Sequence, residues 1–166
     1  MAATVEICGS NGAGETVTHN LSNINFGNVD AANITTSANP ITVGTNSFVK
    51  YIRLHVTDIG TSNKIDNIQI WKLSGEYVAG EGIFTNLQTS SYTATSYATP
   101  TTTQYAGNAT PTADPTFANL GIAGALTGSL TAAGYSDYWK LQLSSSIATP
   151  PGNANTKTFS VQYDEQ

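Results

Sequence analysis

The segment covering residues 48–57 places the strongest constraint on how this chain can fold. Its aliphatic residues Ile52, Leu54 and Val56 recur at every second position, while Tyr51 and Arg53 fall between them with other polar residues. Successive side chains of a strand point to opposite faces of a sheet, so this period of two predicts a half-buried β-strand. A helix would space its apolar residues three or four positions apart.

Further segments support an all-β chain. Residues 46–59 and 65–73 both alternate and are separated by a polar turn, so we expect them to pair as an antiparallel hairpin. We also predict strands over residues 4–8, 16–26 (with a break), 41–43, 138–143 and 158–163. Gly80 and Gly82 are expected to divide the apolar residues near position 83 into short pieces. Several short strands without βα alternation predict a β-sandwich or jelly-roll-like domain.

The middle of the chain has a different character. Residues 86–116 are rich in Thr, Ala, Ser, Tyr and Pro and show no sustained period, which is typical of a long irregular loop or arm. The glycines between residues 117 and 133 oppose a stable helix, although one helical turn is allowed near residues 115–118. We therefore predict one domain over residues 1–166, with residues 86–135 as a loop-rich insertion or arm.

Composition excludes several classes of function. Only 10% of the 166 residues are charged, the net charge is −5, and polarity comes mainly from 25 Thr, 15 Ser and 15 Asn. Six Lys and Arg residues are too few for a phosphate-binding patch, so no nucleic-acid partner is expected. No apolar run is long enough for a membrane span, and the N-terminal residues lack the features of a signal peptide. This composition suits a protein that acts outside cells. Either the protein is made in the cytoplasm and released by lysis, or an export signal has been replaced by Met1 in this sequence.

The residues that could carry chemistry are few and scattered in the sequence. Cys8 with His19 or His55 is formally a nucleophile–base pair, but nothing near it in sequence supports one, and Cys8 is predicted to be a small buried thiol. No Gly-x-Ser-x-Gly motif frames a serine, and no Asp-x-Asp-x-Asp loop suggests calcium. The single cysteine allows no intramolecular disulfide. We therefore predict no catalytic residue, no metal and no cofactor, and a protein that is not an enzyme.

Tyr92, Tyr97 and Tyr105 are the predicted partner-binding residues, because they punctuate the Thr-rich segment. Tyrosine combines apolar area with a polar tip, which suits an anchor on a neighbouring subunit. Two alternatives remain open: an aromatic sugar-binding face, and ordinary anchoring of the loop onto its own core.

Three segments resemble structural proteins of tailed-phage particles. Residues 39–54 (NPITVGTNSFVKYIRL), 68–75 (IQIWKLSG) and 157–165 (KTFSVQYDE) are similar to framework segments of those proteins. The resemblance covers about a third of the chain and carries no catalytic residue. It implies a β-sandwich or jelly roll, often trimeric, that binds a shell of capsid subunits.

The leading functional prediction is accordingly a non-catalytic virion protein that decorates or cements the outside of a phage capsid. Its partner would be the major capsid protein or another virion protein, and a homo-oligomer, favourably a trimer, is expected. A carbohydrate-binding, lectin-like module and a phage tail or head-fibre component are the alternatives.

Overall fold

The computed structural model describes residues 1–11, 16–88, 108–113, 129–152 and 155–166. The all-β expectation is confirmed. The strands in these ranges are β1 (Thr4–Ser10), β2 (Val17–Thr18), β3 (Lys50–Asp58), β4 (Ile65–Ser74), β5 (Glu81–Gln88), β6 (Asn108–Ala109), β7 (Gly134–Tyr135), β8 (Tyr138–Ser145) and β9 (Thr158–Glu165). Within the same ranges, no helix has the length and apolar character needed to cross a membrane.

The strands form two antiparallel sheets. The larger sheet has seven strands in the order β2-β1-β3-β8-β5-β6, and β7 also pairs with β3. The smaller sheet consists of β4 and β9. Most pairings join strands that are far apart in sequence, such as β3 with β8 and β4 with β9.

The expected hairpin between residues 46–59 and 65–73 is wrong, because β3 and β4 belong to different sheets. Both segments are strands, but the aliphatic side chains of β3 and β4 enter the same buried cluster. Ile52 and Leu54 of β3 and Ile68 and Ile70 of β4 are each about 99–100% buried. Sharing one core in this way removes both aliphatic faces from water, which edge-to-edge pairing alone would not do.

The buried cluster combines residues of both sheets. It contains Ile52, Leu54, Val56, Ile65, Ile68, Ile70, Ile83, Trp139 and Leu141. Fully burying one such aliphatic side chain stabilises a fold by about 1.5–3 kcal/mol, so this cluster is the main source of stability for the described strands. The strands predicted over residues 138–143 and 158–163 are confirmed by β8 and β9.

Asn67 interrupts the regular alternation of β4. Ile65 and Ile68 are both buried although three positions separate them, a spacing that would place them on opposite faces of a regular strand. The register of β4 against β9 shifts between Asp66 and Gln69, and Asn67 adopts a φ of 52°. This bulge returns the strand to a register in which both isoleucines face the core.

Two predicted strands are largely irregular. In the segment 16–26 only Val17–Thr18 is a strand, and the apolar residues that follow pack against the core from irregular backbone. Asn20 has a φ of 49°. The side chain of Asn25 donates to the carbonyl of Ile34 and that of Asn23 accepts from Asn25 N, so asparagine side chains satisfy backbone groups that a ladder would otherwise pair. Residues 41–43 enter a turn closed by the bond from Thr45 N to Thr42 O.

Strand β5 is longer than expected. It continues through Gly82 to Gln88, so the predictions of a break at Gly82 and of a loop beginning at residue 86 are wrong. Glycine at position 82 leaves room for the Phe84 ring, whose Cε2 lies 3.1 Å from the point a Cβ would occupy. The predictions for Tyr92, Tyr97, Tyr105 and residues 115–118 lie outside the described residues.

Candidate functional site

Four side chains that can ligate metals or transfer protons meet on the seven-stranded sheet. This group, called here the Glu6 cluster, consists of Glu6, Cys8, His19 and His55. Each residue offers one ligand atom, and these atoms all lie within 4.8 Å of one another. The group draws on three separate segments of the sequence.

The pairing of β1 with β3 builds the centre of the cluster. Val5 and Ile7 of β1 pack against the core, so the alternating residues Glu6 and Cys8 occupy the opposite face. The antiparallel register places Glu6 beside His55 of β3, and Cys8 beside Arg53. Since paired residues share a face, the same alternation that buries the aliphatic side of β3 presents His55 to Glu6.

His19 joins the cluster from the other side of β1. The pairing of Gly9 with Thr18 ends the short ladder with β2, and the bond from Leu21 N to Ile7 O keeps the following residues against β1. His19 is thereby held beside Cys8, with 3.5 Å between Nδ1 and Sγ. Its side chain is 48% exposed, whereas those of Glu6 and His55 are 10% and 18% exposed.

One carboxylate oxygen accepts hydrogen bonds from both imidazoles. Oε1 of Glu6 lies 2.5 Å from Nδ1 of His55 and 2.6 Å from Nδ1 of His19. The bond from His55, followed by that from His19, lowers the pKa of Glu6 from 4.5 to about 2. Glu6 is therefore a carboxylate, fully ionised at neutral pH.

Cys8 has the opposite tendency. Burial, and then the negative charge of Glu6, raise the pKa of its thiol from 9.0 to about 11. At neutral pH the sulfur therefore keeps its proton, and a protonated thiol is a poor nucleophile. The structure thus brings Cys8 and His19 together, but the surroundings of the sulfur do not activate it for nucleophilic catalysis.

Tyr135 and Arg53 cover the cluster. The Tyr135 ring of β7 stacks on His55 with 4.0 Å between centroids and 12° between planes. The guanidinium of Arg53 lies 3.8 Å from the Tyr135 centroid and 4.6 Å from that of Tyr138. Nε of Arg53 is buried and has no hydrogen-bond partner in the described part of the chain. These contacts fix the orientation of the His55 ring and leave His19 as the exposed member.

The sequence alone did not group these residues. No cysteine or histidine lies near His19 in the sequence at a metal-binding spacing, so spacing along the chain does not predict a metal site there. The spacing of Glu6 and Cys8, with His55 on the polar side of an alternating strand, was the available signal. Only the register between β1, β2 and β3 turns that signal into a site.

A second surface feature lies where two turns meet. Val43 is 40% exposed and Ile147 is 92% exposed, and we call this pair the apolar tip. Cγ2 of Ile147 lies 3.2 Å from the position that a Cβ on Gly44 would occupy, and Gly44 has a φ of 82°. A glycine at this position lets Ile147 approach the neighbouring turn closely.

Comparison with known proteins gives no assignment, since no family model, no curated protein and no solved structure matches this chain.

Proposed function

We propose that this chain is a non-catalytic virion structural protein that binds the outside of a phage capsid and decorates or cements it. The observation that carries the proposal is the apolar tip, two apolar side chains that are held in water on braced turns. Its contact partner is the major capsid protein or a neighbouring virion protein.

The turns that present the tip are held together by several hydrogen bonds. Ser145 N and Oγ both donate to the carbonyl of Thr45, at 3.2 and 2.9 Å, and Gly44 N donates to Ser145 Oγ at 3.2 Å. On the other side, Thr149 N donates to Ser146 O and Ser146 N donates to Gly80 O, both at 2.9 Å. A surface fixed before binding loses less conformational entropy on contact, which favours affinity.

The energy available per copy fits a role that depends on many copies. Burying an exposed Ile side chain contributes about 1.5–3 kcal/mol, too little for tight binding of a single copy. Multiple attachment on a lattice, or within a trimer, raises the effective affinity without new contacts. Thr42 and Ser146, the exposed chain neighbours of Val43 and Ile147, suit a hydrogen-bonded, hydrated rim around the tip.

The framework supports the same class of protein. Residues 39–54, 68–75 and 157–165, which resemble phage structural proteins, contribute to β3, β4 and β9. These strands include parts of both sheets, consistent with the proposed β-sandwich of decoration proteins.

The first test is the composition of intact particles. Particles of the phage that encodes the chain are purified and the protein is quantified against the major capsid protein by mass spectrometry. We expect a fixed stoichiometric ratio, with density on the outer face of the shell. Absence of the protein from intact particles would contradict the proposal.

The second test addresses the tip itself. Ile147→Asp places a charge on the exposed turn, and we expect it to reduce binding to particles lacking the protein by at least about tenfold, as loss of one anchoring contact does. Leu73→Asp is the matched control, because Leu73 is also an exposed apolar residue (60%) but belongs to β4. Equal binding by both variants and the unaltered protein would mean that the tip does not carry the contact.

A further inference from the structure

We propose that the Glu6 cluster is a binding site for one divalent transition-metal ion of the zinc class, held by Glu6, Cys8, His19 and His55. This site is independent of the proposed virion role and would be present whichever surface the protein binds.

The donor set suits zinc. Zinc in proteins is bound by thiolate sulfur, imidazole nitrogen and carboxylate oxygen, usually with four ligands in a tetrahedron. The cluster supplies one sulfur, two imidazoles and one carboxylate, each from a different side chain. Calcium and magnesium prefer oxygen ligands only, so a set with sulfur and two nitrogens disfavours them.

The spacing of the donors is close to that of a metal centre. Bond lengths of about 2.0–2.3 Å in a tetrahedron put sulfur and nitrogen ligands about 3.5 Å apart. Sγ of Cys8 and Nδ1 of His19 are 3.5 Å apart. The two nitrogen–oxygen contacts to Glu6, at 2.5 and 2.6 Å, would need to widen to about 3.3 Å. Both contacts share Oε1 of Glu6, so a rotation of this one side chain would lengthen both, while donor atoms that lie up to 4.8 Å apart would have to approach one another.

Zinc binding changes where the protons of the ligand side chains lie. Glu6 is already ionised, and each neutral imidazole that ligates through Nδ1 carries its proton on Nε2 instead. The thiol of Cys8 loses its proton to the solvent as the metal–sulfur bond forms, since the ligand is the thiolate.

The arrangement describes a closed, structural site. Four protein ligands complete a tetrahedral zinc ion and leave no position for substrate, which distinguishes structural sites from catalytic ones. His19 is the exposed ligand and gives the ion its route from solvent. A bound ion would link the irregular segment after β2 to both β1 and β3 in a chain whose single cysteine allows no internal disulfide.

The test uses the full chain without an affinity tag, freed of metal by a chelator. Isothermal titration with Zn²⁺ is expected to give one ion per chain, with net proton release. Titration with Co²⁺ is expected to give the intense visible bands of a tetrahedral site and a sulfur-to-cobalt charge-transfer band in the near ultraviolet.

Three variants assign the ligands. Cys8→Ser is expected to abolish the charge-transfer band, and His19→Gln to weaken Zn²⁺ binding by at least about tenfold. Because the His19 side chain is half exposed, His19→Gln should fold, which circular dichroism checks. Glu76→Gln, which removes an exposed carboxylate elsewhere, is expected to leave both signals unchanged.

Either of two results with Zn²⁺ would overturn the proposal. One is a failure of the unaltered protein to bind Zn²⁺ stoichiometrically. The other is binding that is the same in Cys8→Ser and His19→Gln as in the unaltered protein, which would place the ion elsewhere. Binding of Co²⁺ without the charge-transfer band would likewise show that Cys8 is not a ligand, which would exclude the four-ligand site.

Discussion

Glu6 and His55 lie directly opposite each other on β1 and β3 and are joined by a hydrogen bond of 2.5 Å between Oε1 and Nδ1. The two strands are thus connected twice at this position, by the backbone ladder and by a charge-assisted side-chain bond. The same oxygen also accepts from His19, so one carboxylate links three segments of the chain.

This relationship predicts the effect of Glu6→Gln in metal-free protein. A neutral amide keeps the size of the side chain but removes the negative charge that accepts from both imidazoles. Hydrogen bonds to charged groups contribute about 1.5–3 kcal/mol, so we expect a loss of that order in the free energy of unfolding. Urea denaturation at pH 7 measures it. Glu76→Gln should change stability by no more than about 0.5 kcal/mol, and an equally small effect of Glu6→Gln would contradict the prediction.

The burial of Lys50 predicts that the free energy of unfolding depends on pH. It is 97% buried, and its ammonium donates to the carbonyl of Ala31. Burial lowers the pKa of Lys50 from 10.5 to about 8, although the nearby charge of Asp30 acts in the opposite direction. As the pH rises, the folded chain therefore loses the Lys50 proton at a lower pH than the unfolded chain does. The unfolded chain holds more protons between pH 8 and 10.5, and the free energy of unfolding contributed by Lys50 should rise there, by at most about 1.4 kcal/mol per pH unit.

The measurement compares denaturation of Lys50→Met with that of the unaltered protein across this range. Their difference isolates Lys50, because Cys8, whose pKa rises from 9.0 to about 11, acts with the opposite sign above pH 9 in both proteins. The advantage of Lys50→Met should shrink as pH rises. Lys64→Met replaces a partly exposed lysine, and the free energy of unfolding of this variant should still rise with pH over the same range. A difference that is constant with pH would rule the effect out.

The backbone conformation of Asn67 predicts an unusual order of stability among variants at this position. Its φ of 52° is unfavourable for residues with a Cβ, and its side chain donates to Asp164 at 2.8 Å. Both Asn67→Gly and Asn67→Ala lose that bond, but only alanine also strains the backbone. We therefore expect the alanine variant to be less stable than the glycine variant by about 1–2 kcal/mol, the reverse of the order in a regular strand. Thermal denaturation of both variants decides the order.

Lys157 and Glu81 form a buried ion pair that joins the first residue of β5 in the larger sheet to the residue just before β9 of the smaller one. Nζ of Lys157 lies 2.5 Å from both carboxylate oxygens, and the side chains are 6% and 1% exposed. Lys157→Met leaves the carboxylate buried without a positive charge beside it, although Val78 N still donates to it, and we expect a loss of about 3–5 kcal/mol. Replacing both residues by Met should restore much of this stability, because no lone charge remains buried. A double variant as unstable as the single one would contradict this explanation.

The strands themselves were largely predictable from local sequence. The alternation of Ile52, Leu54 and Val56 is a property of consecutive residues, and it correctly identified β3. Their pairing was not predictable in the same way. A polar turn between two alternating segments is compatible both with a hairpin and with a crossing between sheets, and the choice depends on the whole core.

The Glu6 cluster could not be predicted from the sequence, for a related reason. Glu6 and Cys8 are neighbours on one strand, but whether His55 or a different residue faces Glu6 depends on the register with β3. The bulge at Asn67 shows how one residue can change such a register. A site assembled from registers cannot be derived from spacing along the chain.

The pairing of β3 with β8 has a consequence for the time that folding takes. The side chain of Gln142 in β8 donates to the carbonyl of Ser47, which is 95 positions earlier in the chain. Chains dominated by such distant contacts fold in about milliseconds to seconds, far more slowly than chains built from local ones. During synthesis the edge of β3 that pairs with β8 stays open until the last third of the chain has been made, and in that interval it can pair with another molecule.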